Sequence, residues 1–293
     1  MQIIKARRAG FCSGVERAVE TAFKTAKSLR NTRLYTLGPL IHNDTVLSKL
    51  AHLGFSTLDE GGLFDGTCLS NLKGATVIIR AHGIKPALQE EIISMGANIV
   101  DATCPKVRAN QLKARKLCKK DHRLWIVGEK NHAEVQGLLG FAPEAVVISS
   151  VEDAKDTAEE LFFLNRSAKT AVIAQTTISN KEFDAICGIL HQFFPDLAVY
   201  NTICTATQER QQALQELCAQ VDAVLIAGDP KSSNTRRLLS IAKENCKNAW
   251  IAANIDDIPP EIYKYKTIGL SAGASTPMEV ISAIENHFRN IHS

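Results

Sequence analysis

The chain has 293 residues, of which 45% are hydrophobic, 22% charged and 6% aromatic, and its formal net charge is +3. This composition is typical of a globular protein and excludes disordered, collagen-like and coiled-coil chains. The small net charge implies no strong attraction to nucleic acid or to an anionic membrane surface.

The predicted elements alternate short apolar strands with longer amphipathic helices. In chain order, the sequence predicts a helix over 15–29, a strand over 76–79, a helix over 107–120, strands over 124–127 and 171–174, a helix over 208–220, strands over 223–226 and 266–270, and a helix over 277–289. The strands are continuous apolar runs, which is typical of parallel strands covered on both faces. The alternation indicates an α/β protein with parallel sheets.

Eight cysteines are the one unusual feature of the composition. The N-terminal segment lacks the apolar core of a signal peptide, and no run of about 18 apolar residues predicts a membrane span. We therefore expect a cytoplasmic protein, in which thiols are free or bound to metal rather than paired as disulfides.

Cys12, Cys104 and Cys204 share a local context: each follows a strand-like segment and opens a predicted helix. The residues that signal these helix starts are Ser13 with Glu16 in capping-box spacing, Pro105, and Thr205 or Thr207 ahead of Gln208. The positive end of a helix dipole and its unpaired N–H groups stabilise a thiolate. Since consecutive members lie about a third of the chain apart, the spacing favours three similar α/β units.

The repeated context favours metal ligation for these three cysteines over burial as small apolar side chains. For the other five we expect burial without a functional role; they are Cys68, Cys118, Cys187, Cys218 and Cys246. The chain has no C-x-x-C pair, so the usual zinc ribbons and fingers are not indicated. Three separated cysteines suit a 4Fe–4S cluster in which one iron has no protein thiolate and is open to substrate.

A second set of polar residues follows the predicted strands, where ligands bind in parallel α/β sheets. The segments concerned are Gly38–Asn43 with His42, Arg80–Gly83 with His82, Gly128–Glu134 with His132, Gln175–Thr177, Gly228–Asn234 and Ser271–Pro277. Hydroxyl, amide and imidazole groups at helix N-termini can bind phosphate without a P-loop, and no standard nucleotide motif is present. The set therefore predicts a site for a small diphosphate.

Glu134 is the candidate general acid of this set, because it shares a loop with the His132 imidazole. The alternative is an exposed glutamate that begins a helix. Each Ser, Thr and Asn can likewise be a structural helix cap. Two other functions remain open: an iron–sulfur electron carrier or redox sensor, which leaves the polar set without a role, and a zinc-dependent hydrolase with cysteine ligands.

Eight short motifs, in order, resemble the 4-hydroxy-3-methylbut-2-enyl diphosphate reductase family. They are Gly10–Val15, Gly38–Asn43, Ala81–Gly83, Asp101–Pro105, His132–Val135, Gln175–Thr177, Ser232–Asn234 and Ala272–Ser275. The resemblance extends from residue 10 to about residue 278. Two small departures are Ala133, where the family commonly has Pro, and the lead-in Asp229–Pro230.

The resemblance implies an α/β fold of three similar parallel-sheet domains, arranged as a trefoil around a central cluster cavity. The domains would comprise residues 13–103, residues 104–203, and residues 204–282 together with 1–12, with 283–293 as a C-terminal tail. It also implies that Cys12, Cys104 and Cys204 hold one 4Fe–4S cluster, with one iron lacking a protein thiolate.

The resemblance assigns a role to each polar residue. It implies substrate binding by His42, His82, His132, Thr176, Ser232, Ser233, Asn234 and Ser275, and a proton-donor role for Glu134. The implied reaction is a two-electron reductive dehydroxylation that gives isopentenyl and dimethylallyl diphosphates. We expect as a partner an electron donor such as ferredoxin or flavodoxin, whose identity the sequence does not determine. A basic stretch could dock such an acidic donor, although a solvated helix face is the favoured explanation; it contains Lys113, Arg115, Lys116, Lys119, Lys120 and Arg123.

Overall fold

The structure is a computed structural model that describes residues 1–29, 31–59, 72–120, 122–164 and 169–291. Within these ranges the strands are β1 Gln2–Lys5, β2 Leu34–Leu37, β3 Phe55–Leu58, β4 Thr76–Ile79, β5 Asn98–Asp101, β6 Arg123–Val127, β7 Val146–Ile148, β8 Thr170–Ala174, β9 Ala198–Val199, β10 Ala223–Ala227, β11 Ala249–Ala252 and β12 Thr267–Ala272. The helices are α1 Ser13–Ser28, α2 Asp44–His52, α3 Pro86–Ser94, α4 Pro105–Cys118, α5 Ala133–Phe141, α6 Val151–Leu164, α7 Asn180–Phe193, α8 Thr205–Cys218, α9 Ser233–Asn245 and α10 Met278–Asn290, with 3-10 turns at Ile255–Asp257 and Pro260–Lys264.

The strands form three four-stranded parallel sheets of the same internal order. The first sheet has the order β3-β2-β4-β5 and the second β7-β6-β8-β9. The third has the order β11-β10-β12-β1, so the N-terminal strand completes a sheet built otherwise from the last part of the chain. The expected α/β class with three similar parallel sheets is confirmed.

The central strands of the second and third sheets contain continuous apolar runs because each strand faces a separate core on either side. In the second sheet, Trp125 and Val172 belong to the core on one face, whereas Leu124 and Ala171 belong to the core on the other. In the third sheet, the residues of β10 alternate between two cores in the same way. Burial on both faces therefore explains why periodicity of two is missing from these strands.

All five predicted strands and all four predicted helices are present, with ends that differ by a few residues. The predictions did not include the outer strands, which are short and only partly buried; β9, for example, has two residues. Residues 283–290, which the domain prediction places in a C-terminal tail, lie in α10, in agreement with the predicted helix over 277–289, and Ile284 and Phe288 are fully buried there.

Two compact units can be distinguished in the chain, and each is described by itself. One comprises Met1–Val19, Ile41–Leu50 and Thr205–Ser293, and contains the third sheet. The other comprises Glu20–Leu40 and Ala51–Cys204, and contains the first and second sheets. The boundaries of the three expected domains stay a prediction. In the described ranges, no helix is both long enough and apolar enough to span a membrane.

Candidate active site

Each of the three singled-out cysteines is the residue immediately before a helix. Cys12 precedes α1, Cys104 precedes α4 and Cys204 precedes α8. The carbonyl oxygen of Cys12 accepts the first helical hydrogen bond from Glu16 at 2.9 Å, and that of Cys104 accepts one from Arg108 at 2.9 Å. All three thiols are therefore at the positive end of a helix dipole.

The helix starts differ in detail from the sequence-based expectation. Pro105 is the first residue of α4, as predicted. Ser13, predicted as a cap, is instead the first residue of α1. Thr205 and Thr207, the two alternatives for the other cap, both lie inside α8, which begins at Thr205. These two helices begin earlier than their apolar periodicity indicated, since their first turns carry few apolar residues. In all three cases, the residue directly before the helix is the cysteine.

The backbone amide of each cysteine is bonded to the loop that follows the neighbouring strand. Cys12 donates to Ala274 O at 3.3 Å, Cys104 donates to Ala81 O at 2.9 Å, and Cys204 donates to Thr176 O at 3.1 Å. These loops follow β12, β4 and β8, which occupy the same position in their sheets. The loops also carry predicted substrate residues, namely Ser275, His82 and Thr176. One local arrangement thus occurs three times and places a thiol beside a predicted binding loop.

The remaining described cysteines lie in other surroundings. Burial raises the pKa of Cys187 to about 12 and that of Cys218 to about 11, so both stay neutral thiols. Burial also raises the pKa of Cys118. The Cys246 thiol lies 3.6 Å from Asp222 O, and Cys68 lies outside the described residues. Structural burial is thus observed for Cys187 and Cys218, whereas Cys12, Cys104 and Cys204 are only half-buried and form no disulfide.

Glu134 is a buried carboxyl group bonded twice to Thr176. Its side chain is 1% exposed. Its Oε1 accepts from the Thr176 amide at 2.8 Å, and its Oε2 accepts from Thr176 Oγ1 at 2.6 Å. Burial raises the pKa of Glu134 to about 7, although the two bonds from Thr176 act in the opposite direction. The carboxyl group can therefore carry a proton near neutral pH, and the exposed-glutamate alternative is wrong.

His132 caps the helix that carries Glu134. Its Nδ1 accepts from the Glu134 amide at 3.1 Å, so the neutral ring carries its proton on Nε2. The ring of His82 meets that of His132 edge-on, with 5.2 Å between centroids and an angle of 86°. The structure thus brings His82, His132, Glu134 and Thr176 together at the ends of β4, β6 and β8.

In the other compact unit, buried polar groups gather after β10 and β12. Ser232 precedes α9 and caps it by accepting from the Thr235 amide at 3.4 Å. Ser233, Asn234 and Ser275 are less than a tenth exposed. Asn234 Nδ2 and Ser275 Oγ are buried and have no hydrogen-bond partner among the described residues. Two buried donors without protein acceptors are costly unless something binds them, and an anion would satisfy both.

His42 also lies at a helix start, in the same unit. It is half-buried and directly precedes Asn43, whose Oδ1 accepts from the Val46 amide at 3.1 Å. Asn43 thereby fixes the first turn of α2 next to the imidazole. The position agrees with the predicted helix start.

Gln175 has no role in the sequence-based prediction, but in the structure its side chain joins two loops by hydrogen bonds. Gln175 is fully buried at the end of β8. Its Oε1 accepts from the Glu129 amide at 3.0 Å, and its Nε2 donates to Thr177 Oγ1 at 2.8 Å. It therefore holds the loop before His132 against the loop that contains Thr176. A polar residue directly after an apolar strand was the available signal.

The chemistry of the three thiols suits an iron–sulfur cluster, which is held by cysteine thiolates that each bind a different iron. Cys12, Cys104 and Cys204 are half-buried, form no disulfide and occupy equivalent helix-start positions, where a thiolate is stabilised. Among the described residues, no three His, Cys, Asp or Glu side chains form a compact group around a single ion.

Comparison with known proteins gives a consistent result. The sequence pattern of the LytB protein family matches residues 3–289. A 4-hydroxy-3-methylbut-2-enyl diphosphate reductase of Treponema denticola is 39% identical over 289 residues, which cover 97% of this chain and 98% of that protein. The enzyme of the same name from Caldanaerobacter subterraneus subsp. tengcongensis is 39% identical over 293 residues, with coverage of 99% and 98%.

Two solved structures are similar over nearly the whole chain. The E-1-hydroxy-2-methyl-but-2-enyl-4-diphosphate reductase of Plasmodium falciparum gives a TM-score of 0.88 at 29% identity, covering 99% of this chain and 87% of that one. An (E)-4-hydroxy-3-methyl-but-2-enyl diphosphate reductase, described as the terminal enzyme of the non-mevalonate pathway, gives 0.69 at 35% identity, with 99% of each chain covered.

Proposed function

The chain belongs to the LytB protein family, and we propose that it catalyses the reaction for which its relatives are named, the reduction of 4-hydroxy-3-methylbut-2-enyl diphosphate. The enzyme replaces the allylic hydroxyl group with hydrogen and forms isopentenyl and dimethylallyl diphosphates. The C–O bond breaks, two electrons and two protons are consumed, and the oxygen leaves as water. This is the final step of the non-mevalonate route to isoprenoid precursors.

The observation that carries this proposal is the buried pair of Glu134 and Thr176. A carboxyl group whose pKa is about 7 can donate a proton at neutral pH. Thr176 Oγ1 lies 2.6 Å from Glu134 Oε2. A hydroxyl group at this distance can accept a proton from the acid and donate its own to the substrate oxygen. Protonation turns that oxygen into water, which is a far better leaving group than hydroxide.

The diphosphate is bound by neutral or cationic donors rather than by a P-loop. The substrate residues are His42, His82, His132, Thr176, Ser232, Ser233, Asn234 and Ser275. Support for the anion site comes from the buried, unpartnered Asn234 Nδ2 and Ser275 Oγ. His132 contributes Nε2–H, because its Nδ1 accepts from the Glu134 amide. Several such donors at helix starts are sufficient to hold a diphosphate.

We assign Cys12, Cys104 and Cys204 as the ligands of one 4Fe–4S cluster. When bound, the cluster would pass the two electrons on to the substrate and supply a Lewis-acidic iron without a protein thiolate. The chain's own part is to hold three thiolates at helix starts, to bind the diphosphate and to deliver the proton. The electrons come from a separate donor, for which a ferredoxin or flavodoxin is proposed. Because a reducing compartment keeps the thiols available, we propose a cytoplasmic location.

Metal analysis and a turnover assay test the function together. Protein purified without oxygen should contain about four irons and matching sulfide per chain, and should reduce the substrate with a strong chemical donor. Glu134→Gln should keep the iron but lose at least about a hundredfold in kcat, the usual range for a general acid. Stoichiometric zinc would refute the cluster, and a loaded protein without turnover would instead support an electron carrier.

Cysteine substitutions provide the matched control for the ligand assignment. Each of the variants Cys12→Ser, Cys104→Ser and Cys204→Ser should have an iron content well below that of the parent. Cys246→Ser should leave the iron content unchanged, because this half-buried thiol lies against backbone carbonyls and not at a helix start. Equal iron content in all four variants would overturn the assignment.

A further inference from the structure

Gln111 is a fully buried polar side chain in α4, the helix that begins directly after Cys104. Its Oε1 accepts from Arg108 Nη1 at 3.0 Å. Its Nε2 is buried as well. Glutamine side chains are mostly exposed in folded proteins, so a fully buried one is an informative observation. This burial makes the side chain a candidate for a role beyond core packing.

The Gln111 amide fills a slot that two glycines leave open. A Cβ atom at Gly83 would overlap Gln111 Nε2, and one at Gly137 would lie 3.2 Å from it. Gly83 directly follows His82 and has a φ of +70°, which favours glycine. Gly137 is three residues after Glu134 in α5, so the two share one face of that helix. Gln111 thus wedges between the His82 loop and the Glu134 helix.

The other end of Gln111 is tied to the loop that carries Cys104. Asp101, at the end of β5, accepts from the Thr103 amide at 2.9 Å and forms an ion pair with Arg108. The Thr103 and Arg108 hydrogen bonds lower the pKa of the Asp101 carboxyl group despite its partial burial. Arg108 in turn donates to Gln111. A continuous chain of hydrogen bonds therefore joins the loop before Cys104 to the wedge.

We propose that Gln111 is a positioning residue, which fixes the His82 loop and the Glu134 helix relative to the Cys104 loop. It acts through the backbone at Gly83 and Gly137, against which its amide packs. The expected effect of Gln111 on catalysis rests on the proposed function. The wedge itself is independent of that function and can be measured in the protein without its cluster.

The test is a double-mutant cycle between Gln111→Ala and Gly137→Ala. Gln111→Ala vacates the slot, and we expect an increase in KM and a loss of kcat of about tenfold each, with iron content at the parental level. Gly137→Ala alone pushes a methyl group against the amide and lowers kcat. In the double variant the methyl group enters vacated space, so its kcat should exceed the product of the single effects by at least about threefold.

Gln111→Met separates the shape of the wedge from its hydrogen bonds. Methionine is unbranched and of similar length, so it can fill the slot without donating or accepting. We expect the kcat of Gln111→Met to stay within about threefold of the parent. A larger loss of kcat would mean that the amide group itself is required, and would contradict a role that depends on shape. Leu112→Ala, at a 45% exposed position of the same helix, is the control and should change neither constant.

Unfolding temperatures of the cluster-free variants distinguish failure of the wedge from failure of the function. If the changes in unfolding temperature for Gln111→Ala and Gly137→Ala are not additive in the double variant, they support the wedge even if the parent shows no turnover. Additive changes in unfolding temperature would overturn the wedge. In an active parent, a Gln111→Ala variant whose kcat and KM match those of Leu112→Ala would refute the positioning role.

Discussion

At the scale of single residues, the chemistry depends on where polar side chains are buried. Glu134 is 1% exposed and would be charged in water, yet burial brings its pKa to about 7. Thr176 limits the shift, because its amide and hydroxyl hydrogen bonds favour the carboxylate. The opposing effects leave the acid able both to hold and to release a proton at neutral pH, as a proton donor requires.

The raised pKa predicts how activity and stability depend on pH. Turnover should fall as pH rises above about 7, because Glu134 loses its proton. The pKa of Glu134 in the folded state lies above its ordinary value of 4.5, so this group stabilises the fold fully below about pH 4.5, and the contribution is lost as pH rises through about 7. The contribution is on the order of 3 kcal/mol at most.

Thermal unfolding of the parent and of Glu134→Gln, compared at about pH 5 and about pH 8, measures this contribution. The parent should lose more stability than the variant between the two values, since glutamine does not titrate. An identical pH dependence in both proteins would mean that the Glu134 pKa is not raised.

At the scale of elements, the site is built from strand ends and helix starts. Each cysteine is the last residue before a helix, and its amide is held by the loop after the adjacent strand. The loop at Cys12 has a further support in Arg210, a residue of α8 that is 4% exposed. Its guanidinium donates to Gly10 O at 2.6 Å and to Ala206 O at 3.2 Å. The helix that follows Cys204 therefore anchors the loop that carries Cys12.

This contact predicts a local effect of Arg210→Met. The substitution removes the donors for the Gly10 carbonyl, and we expect a loss of roughly 1–3 kcal/mol in unfolding free energy. Cys12 should also react faster with iodoacetamide in the cluster-free protein, as followed by mass spectrometry. Arg8→Met is the matched control, because it removes only an exposed ion pair with Glu209, which is worth at most about 1 kcal/mol. Equal effects of the two substitutions would contradict the anchoring role.

At the scale of the whole molecule, one sheet order is used three times, and the third sheet joins the two ends of the chain. β1 pairs with β12, and α10 lies in the same unit with Phe288 fully buried in the core. The loop after β1 also contacts α10, since a Cβ at Gly10 would lie 2.9 Å from Ile281 Cδ1. The C-terminal helix thus supports the segment that carries Cys12.

Phe288→Ala tests this support. Loss of a fully buried aromatic ring should cost about 3–5 kcal/mol and lower the unfolding temperature, as measured by calorimetry. Phe163→Ala, at a 70% exposed position of α6, should change stability by no more than about 0.5 kcal/mol. A similarly small change at both positions would show that α10 contributes little to the fold.

Much of the fold and of the candidate site could be predicted from the sequence. The central strands of the second and third sheets carry continuous apolar runs because both of their faces are covered, and such a run is a local signal. Proline and capping residues marked the helix starts near Cys12, Cys104 and Cys204, although the exact caps at Ser13 and Thr205 were wrong. The outer strands were missed because they are short and half-exposed, and their pairing is decided by neighbours far away in the chain.

The sequence by itself determined the α/β class and the three cysteine contexts, and it singled out Glu134 as a candidate acid. Only the tertiary structure decided that Glu134 is buried against Thr176, that Gln111 fills a slot between Gly83 and Gly137, and that β1 belongs to the last sheet. The physical reason is that propensity, capping and periodicity depend on residues close in the chain. Burial, pKa shifts and strand pairing depend on residues that meet only after folding.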